Sequence, residues 1–160
     1  VNKTILGIIA LCLALVVLLW LAFRSQDVLT QGLPERVMCA DQADALKQAG
    51  KGALGVLGTG SMAPFIPASP AGLDPLKTIV AYAAPSGATY DAIRPGDLCV
   101  YWYTLPDGRR ILVIHQAALK DGDGWIMSGY HNARSESWAR VTSSNFVAIV
   151  SKVYVWNTSK

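Results

Sequence analysis

From Ile5 to Phe23 the chain reads Ile-Leu-Gly-Ile-Ile-Ala-Leu-Cys-Leu-Ala-Leu-Val-Val-Leu-Leu-Trp-Leu-Ala-Phe, with no charged residue. No other stretch limits so strongly what this chain can become. A helix rises about 1.5 Å per residue, so about 20 apolar residues cross a hydrocarbon core of about 30 Å. A buried core helix is usually shorter and less uniformly apolar, and the apolar part of a cleaved secretory signal spans only about 7–15 residues. Residues 1–24 are therefore expected to form a retained, single-span membrane anchor, with Trp20 and Phe23 at an interface end where aromatic rings are favoured. Lys3 precedes the run and Arg24 follows it with Asp27 close behind. That asymmetry gives a slight preference for an amino-terminal end facing the cytoplasm.

The anchor accounts for much of the 52% hydrophobic content, and the 160 residues leave room for one further domain. Of the 14 basic residues two, Lys3 and Arg24, flank the run, which leaves 12 against 11 acidic residues in the rest. A nearly neutral domain without a basic patch lacks the electrostatic footprint of a nucleic-acid binder. Cys12 lies in the apolar run, Cys39 and Cys99 outside it. Those two could bridge or stay reduced, since spacing alone does not decide pairing. Cys99 sits in an apolar strand pattern, as a small buried side chain would. Two histidines without C-x-x-C or H-E-x-x-H spacing give no support for a metal site, and no cofactor is called for.

Ser25 to Arg36 is polar, contains Gly32 and Pro34, and reads as a juxtamembrane linker. Ala40 to Ala49 is built of good helix formers and stopped by Gly50 and Gly52, so residues 25–52 are expected to hold a linker and one short helix. From Ala53 the texture changes. Short apolar or alternating runs recur at Gly55–Leu57, Thr78–Ala83, Leu98–Thr104, Ile111–Ala118, Trp125–Ser128 and Phe146–Trp156, separated by Gly, Pro, Asp and Asn. Leu105-Pro106-Asp107-Gly108-Arg109 and Asp121-Gly122-Asp123-Gly124 carry hairpin-turn chemistry. Residues 53–160 are thus expected to be mainly β, an antiparallel meander closed or half-closed into a barrel-like sheet. Ile66 to Asp74, rich in Pro and Ala, reads as a loop.

Gly58-Thr59-Gly60-Ser61-Met62-Ala63-Pro64 presents one hydroxyl on a glycine-flanked bend, where backbone or substrate can approach closely. Arg94-Pro95-Gly96-Asp97 follows, leading into the apolar strand Leu98-Cys99-Val100, and Ile111-Leu112-Val113-Ile114 then ends on His115. Asp97 in this setting is turn chemistry, its side chain free to bond nearby backbone N–H groups. In their order these motifs resemble the type I signal peptidase family, over roughly Leu57 to Val153. The resemblance implies a signal-peptidase sheet and makes Ser61 the nucleophile. Bacterial members use a lysine base, kept neutral by burial. Relatives in the endoplasmic reticulum, archaea and some Gram-positive bacteria have a histidine there. No lysine lies between Lys77 and Lys120, so the chain is similar to the Ser–His branch, with His115 as general base. An imidazole with an ordinary pKa near 6.5 can take a proton at neutral pH.

The family then has a Gly-Asp-Asn-type segment and a later aspartate to orient the base. Here the counterpart is Gly129-Tyr130-His131-Asn132-Ala133-Arg134-Ser135-Glu136, in which Tyr130 replaces the first aspartate. Glu136 is the first choice for the orienting acid and Ser135, matched to the lysine-type pattern, the second. His131 is a rival base in a loop. The backbone N–H of Ser61 and the hydroxyl of Thr59 are expected to serve the oxyanion. Met62 is expected to pack beside a substrate pocket, and Pro64 to stiffen the loop. The resemblance implies a membrane-anchored serine endopeptidase with its catalytic domain on the extracytoplasmic side. Its partners would be the bilayer and exported precursors bearing a signal or leader peptide, cut after small residues. The departure at Tyr130 supports one other reading, a non-catalytic, membrane-tethered binding or scaffold protein on the same fold.

Overall fold

A computed structural model describes residues 12–16, 32–130 and 136–158, the side chains of 136–139 excepted. Residues 12–16 are helical, and the remainder of the apolar Ile5–Phe23 run lies outside the described residues. Among the described residues no helix is long and apolar enough to cross a membrane.

The first strand, β1, spans Glu35–Cys39, and helix α1 spans Gln42–Ala49. Then come β2 (Leu54–Leu57), β3 (Ile79–Pro85), a single 3₁₀ turn (Tyr90–Ala92), β4 (Leu98–Thr104), β5 (Arg110–Asp121), β6 (Gly124–Ser128), β7 (Glu136–Val141) and β8 (Phe146–Trp156). The eight strands form one mainly antiparallel sheet in the order β2-β3-β8-β4-β5-β6-β7, with β1 added parallel to β8. The path does not return on itself, so of the closed and half-closed forms expected, the closed one is not the form the sheet takes. Its end strands, β2 and β7, are short, polar in part or interrupted by register shifts, which limits further pairing.

The expected strands appear where β-branched and aromatic residues concentrate, as in Leu-Cys-Val-Tyr-Trp-Tyr-Thr of β4. The turn at 105–109 is held by Leu105 N–H to Arg109 O at 2.8 Å and by Gly108 N–H to Leu105 O at 2.9 Å. Gly108 has φ +83°, a left-handed conformation that a Cβ would strain. That turn sets the β4–β5 register, in which Cys99 faces His115 and Tyr101 faces Val113.

Two elements differ from the sequence reading. Residues 25–31 of the expected Ser25–Arg36 linker lie outside the described residues, and its end, Glu35–Arg36, belongs to β1, whose residues Glu35–Cys39 pair in register with Lys152–Trp156. And β7 forms from Glu-Ser-Trp-Ala-Arg-Val, a sequence too polar to stand out as a strand. Helix α1 begins as its residues suggest. The Asp41 carboxylate accepts Asp44 N–H at 2.9 Å, the Asp44 carboxylate accepts Ala40 N–H at 3.0 Å, and Gly50 at φ +75° ends the helix. It buries Ala45 completely in a small cluster with Cys39, Tyr82 and Trp156. There Gln42 Nε2 donates to Tyr82 Oη at 3.0 Å.

Two larger cores lie along the sheet. One gathers Val56, Met62, Ile66, Val80, Leu98, Val100, Val153 and Val155. The other gathers Ile93, Cys99, Tyr101, Ala117, Trp125, Met127 and Ile149. Each fully buried Val or Leu side chain contributes roughly 1.5–3 kcal/mol of transfer free energy, so both cores are substantial. Alternate residues of β4 serve them in turn, Leu98 and Val100 the first, Cys99 and Tyr101 the second. Cys39 and Cys99 are both buried and unpaired, and burial pushes the Cys99 thiol up to about 12. Cys99 is the small core side chain its surroundings suggested.

Candidate active site

β2 delivers the chain to Gly58, where the backbone is pinned on both sides. Gly58 N–H donates to Thr78 O at 3.0 Å, and Ser69 N–H donates to Gly58 O at 2.8 Å. A Cβ at Gly58 would stand 2.8 Å from both Ser69 Cα and Val80 Cγ1, and closer still to Ser69 N. Only glycine lets the Ile66–Asp74 loop pass so near. Gly60 follows at φ +86°, and the chain then winds through Ala63 N–H to Gly60 O at 3.0 Å and Ile66 N–H to Met62 O at 2.9 Å. Ser61 sits half-buried on this bend.

Met62, expected to pack beside a substrate pocket, is seated in the core directly beneath the bend. It is 3% exposed within the first core, and its thioether accepts Tyr130 N–H at 3.3 Å. A flexible, polarisable side chain fills that gap well, so Met62 anchors the loop from beneath. Pro64 is exposed and follows a cis peptide bond from Ala63. Tyr130, at the position where the resembled family has an aspartate, is half-buried against the same core.

His115 lies on β5 opposite Cys99, 4% exposed. Its Nε2 is 3.3 Å from Ser61 Oγ. Its other ring nitrogen, Nδ1, is 3.2 Å from the hydroxyl of Tyr101, itself 0% exposed. Thr59 Oγ1 stands 3.4 Å from Ser61 Oγ, on the exposed side. The separations are long for strong hydrogen bonds. The two residues singled out from sequence as nucleophile and base, 54 positions apart, are thus within reach of each other.

Asp97 has the structural part expected of it. Its carboxylate accepts Arg94 N–H at 2.8 Å, closing the Arg94–Asp97 turn. β5 clamps that turn through Gly96 N–H to Ala117 O at 2.7 Å, Ala117 N–H to Asp97 O at 2.8 Å and Gln116 Nε2 to Gly96 O at 2.8 Å. The clamp acts on the residues next to His115 and fixes the strand that carries it. Ser135 and His131 lie outside the described residues, and Glu136 is described in its backbone alone, paired with Met127 at the start of β7. Tyr101 is the site residue that sequence reasoning missed. Among the described residues no group of three His, Cys, Asp or Glu could hold a metal ion.

Burial depresses the His115 imidazole to about 4, because a charged ring would lose its hydration. The ring is therefore neutral, and able to accept a proton, through the whole physiological range. The unfolded chain would protonate this ring near 6.5 and the folded chain only near 4. Between those values the unfolded state binds more protons, so stability falls as pH falls from about 6.5 toward about 4, by on the order of 3 kcal/mol. Urea unfolding across this window is expected to show that slope, and His115→Gln to flatten it; equal slopes in both proteins would contradict it.

Compared with family models, curated proteins and solved structures, the chain shows no match to any of them.

Proposed function

We propose that the protein is a Ser–His endopeptidase of signal-peptidase type, held at a membrane by the Ile5–Phe23 run, with its β domain on the extracytoplasmic side. Its substrates would be exported precursors, cut after small residues where the signal or leader peptide ends. The observation that carries this reading is the 3.3 Å approach of Ser61 Oγ to a buried, neutral His115 Nε2. The likeness of the motif order to that family supports the rest. Open at its ends, the sheet would be a divergent form of the family's barrel-like arrangement.

In this mechanism Ser61 Oγ attacks the scissile carbonyl carbon while its proton passes to His115 Nε2. The backbone N–H of Ser61 and the Thr59 hydroxyl, on the exposed side of the nucleophile, receive the developing oxyanion. His115 then returns its proton to the leaving amine as the C–N bond breaks. A water, deprotonated by the same ring, then adds to the acyl carbon, and the ring returns that proton to Ser61 Oγ as the ester bond breaks and the acyl product leaves. Tethering the domain beside membrane-held precursors raises the effective concentration of each for the other.

The test is incubation of the detergent-solubilised full chain with peptides containing an Ala-x-Ala cleavage context, followed by mass spectrometry of the products. A serine-directed fluorophosphonate run in parallel should leave its adduct on the peptide that contains Ser61. Absence of both cleavage and adduct across several precursors would overturn the reading in favour of a tethered binding protein.

A further inference from the structure

Resting on that reading, we propose that Tyr101 is the positioning residue of the site, its hydroxyl oxygen accepting the Nδ1–H of His115 and so leaving the Nε2 lone pair aimed at Ser61. The observation is geometric. Tyr101 and His115 stand on neighbouring antiparallel strands, Tyr101 opposite Val113 and His115 opposite Cys99, which makes the two side chains diagonal neighbours on one face. Their rings lie 6.3 Å apart at 55°, and Tyr101 Oη reaches Nδ1 at 3.2 Å. A fully buried phenol needs a polar partner, and so does a buried imidazole. Which ring nitrogen the phenol meets gives the contact its consequence.

A neutral imidazole carries one proton on one of two nitrogens, and the partner of each nitrogen selects the tautomer. A base toward Ser61 needs its lone pair on Nε2, so the ring proton must sit on Nδ1, where Tyr101 oxygen is placed to accept it. When Ser61 gives up its proton, the ring becomes an imidazolium with both N–H groups engaged, Nε2–H toward the site and Nδ1–H on Tyr101. The proton on Nδ1 never moves, and Tyr101 exchanges no bond with substrate. Its work is to hold the ring at one angle and in one protonation form. The phenol ring is locked in place by the second core, among Cys99, Ala117, Trp125 and Met127, whereas Met62 ties the nucleophile to the first core. The pair is therefore aligned by two separately packed bodies of side chains, one behind each partner.

The experiment is ¹⁵N NMR of imidazole-labelled full-length protein in detergent, in wild type and Tyr101→Phe, with steady-state cleavage measured on the same samples. Wild type at neutral pH is expected to show His115 protonated on Nδ1. In Tyr101→Phe the Nε2-protonated form should appear, and kcat should fall roughly 10–100-fold with KM nearly unchanged, as for lost partners that orient a histidine. A wild-type ring protonated on Nε2, which needs no variant to observe, would overturn the proposal, as would a Tyr101→Phe spectrum identical to wild type. The two readings separate cleanly. A tautomer shift in a protein that cleaves nothing supports the role of Tyr101 and removes the peptidase, whereas cleavage unaffected by Tyr101→Phe keeps the peptidase and removes the role.

Discussion

Ser61→Ala is expected to reduce cleavage of an Ala-x-Ala peptide by about 10³-fold or more, with the far-UV spectrum and unfolding midpoint unchanged. His115→Ala should do nearly the same, and the double variant little worse than either, because a nucleophile and its base act as one unit. The expectation rests on Ser61 being half-buried on a loop, so that loss of one oxygen leaves no core cavity, and on Nε2 of His115 being 3.3 Å away. The residual rate would come from binding and oxyanion donors alone. Steady-state kinetics of the three variants decides the matter. Retained turnover in Ser61→Ala would remove the serine mechanism, and loss confined to Ser61→Ala would move the base to another residue.

Gly58→Val carries the largest expected effect on stability. The first side-chain atom would already stand 2.8 Å from Ser69 Cα and from Val80 Cγ1, and two more methyl groups would have to enter the same space. Neither neighbour can yield cheaply. Ser69 is backbone, held to Gly58 by a 2.8 Å hydrogen bond, and Val80 is 0% exposed in the first core. Overpacking of this kind costs about 1–3 kcal/mol for extra methylenes and more where backbone must shift. A loss of about 3–5 kcal/mol is expected, read as a lower urea midpoint, with cleavage falling as well because Ser61 follows on the same bend. An unchanged midpoint would mean that the loop does not pass so close to β2.

Much of this architecture could be read in advance, and the reasons for the exceptions are specific. β4, β5 and β6 announced themselves because strong β formers there are bounded by turns with Asp-Gly or Gly-Asp at the tip, and β8 because most of its 11 residues are strong β formers. β1 did not, since Glu-Arg-Val-Met-Cys becomes a strand only through parallel pairing with the far end of β8. Such long-range pairing outweighs local preference. β7 was hidden by its polarity. Whether the sheet closes is decided by twist and register shifts that no local pattern reports. The approach of Ser61 to His115 was legible through motif order, whereas the seat of Met62 in the first core was not, because a methionine beside a loop serine reads equally well as pocket neighbour or as loop anchor. Tyr101 was within reach of simple counting. Once the Leu105–Arg109 turn pairs Thr104 with Arg110, the residue diagonal to His115 across the ladder is Tyr101.

β8 has a consequence for how the molecule comes apart. Along the strand path β2 and β3, which lead into and out of the Ser61 loop, join β4 and β5, which carry Tyr101 and His115, through β8 alone. Its first residues, Phe146–Ile149, ladder onto β4 and its later ones, Val150–Val155, onto β3. A partial opening that frays β7 or the 105–109 turn leaves that seam intact and the Ser61 and His115 side chains aligned. An opening that reaches β8 parts the halves and undoes both at once. The amides of β8 are therefore expected in the slowest-exchanging class in native-state hydrogen exchange, and the free energy that protects them would also be the free energy that keeps the serine and the histidine together.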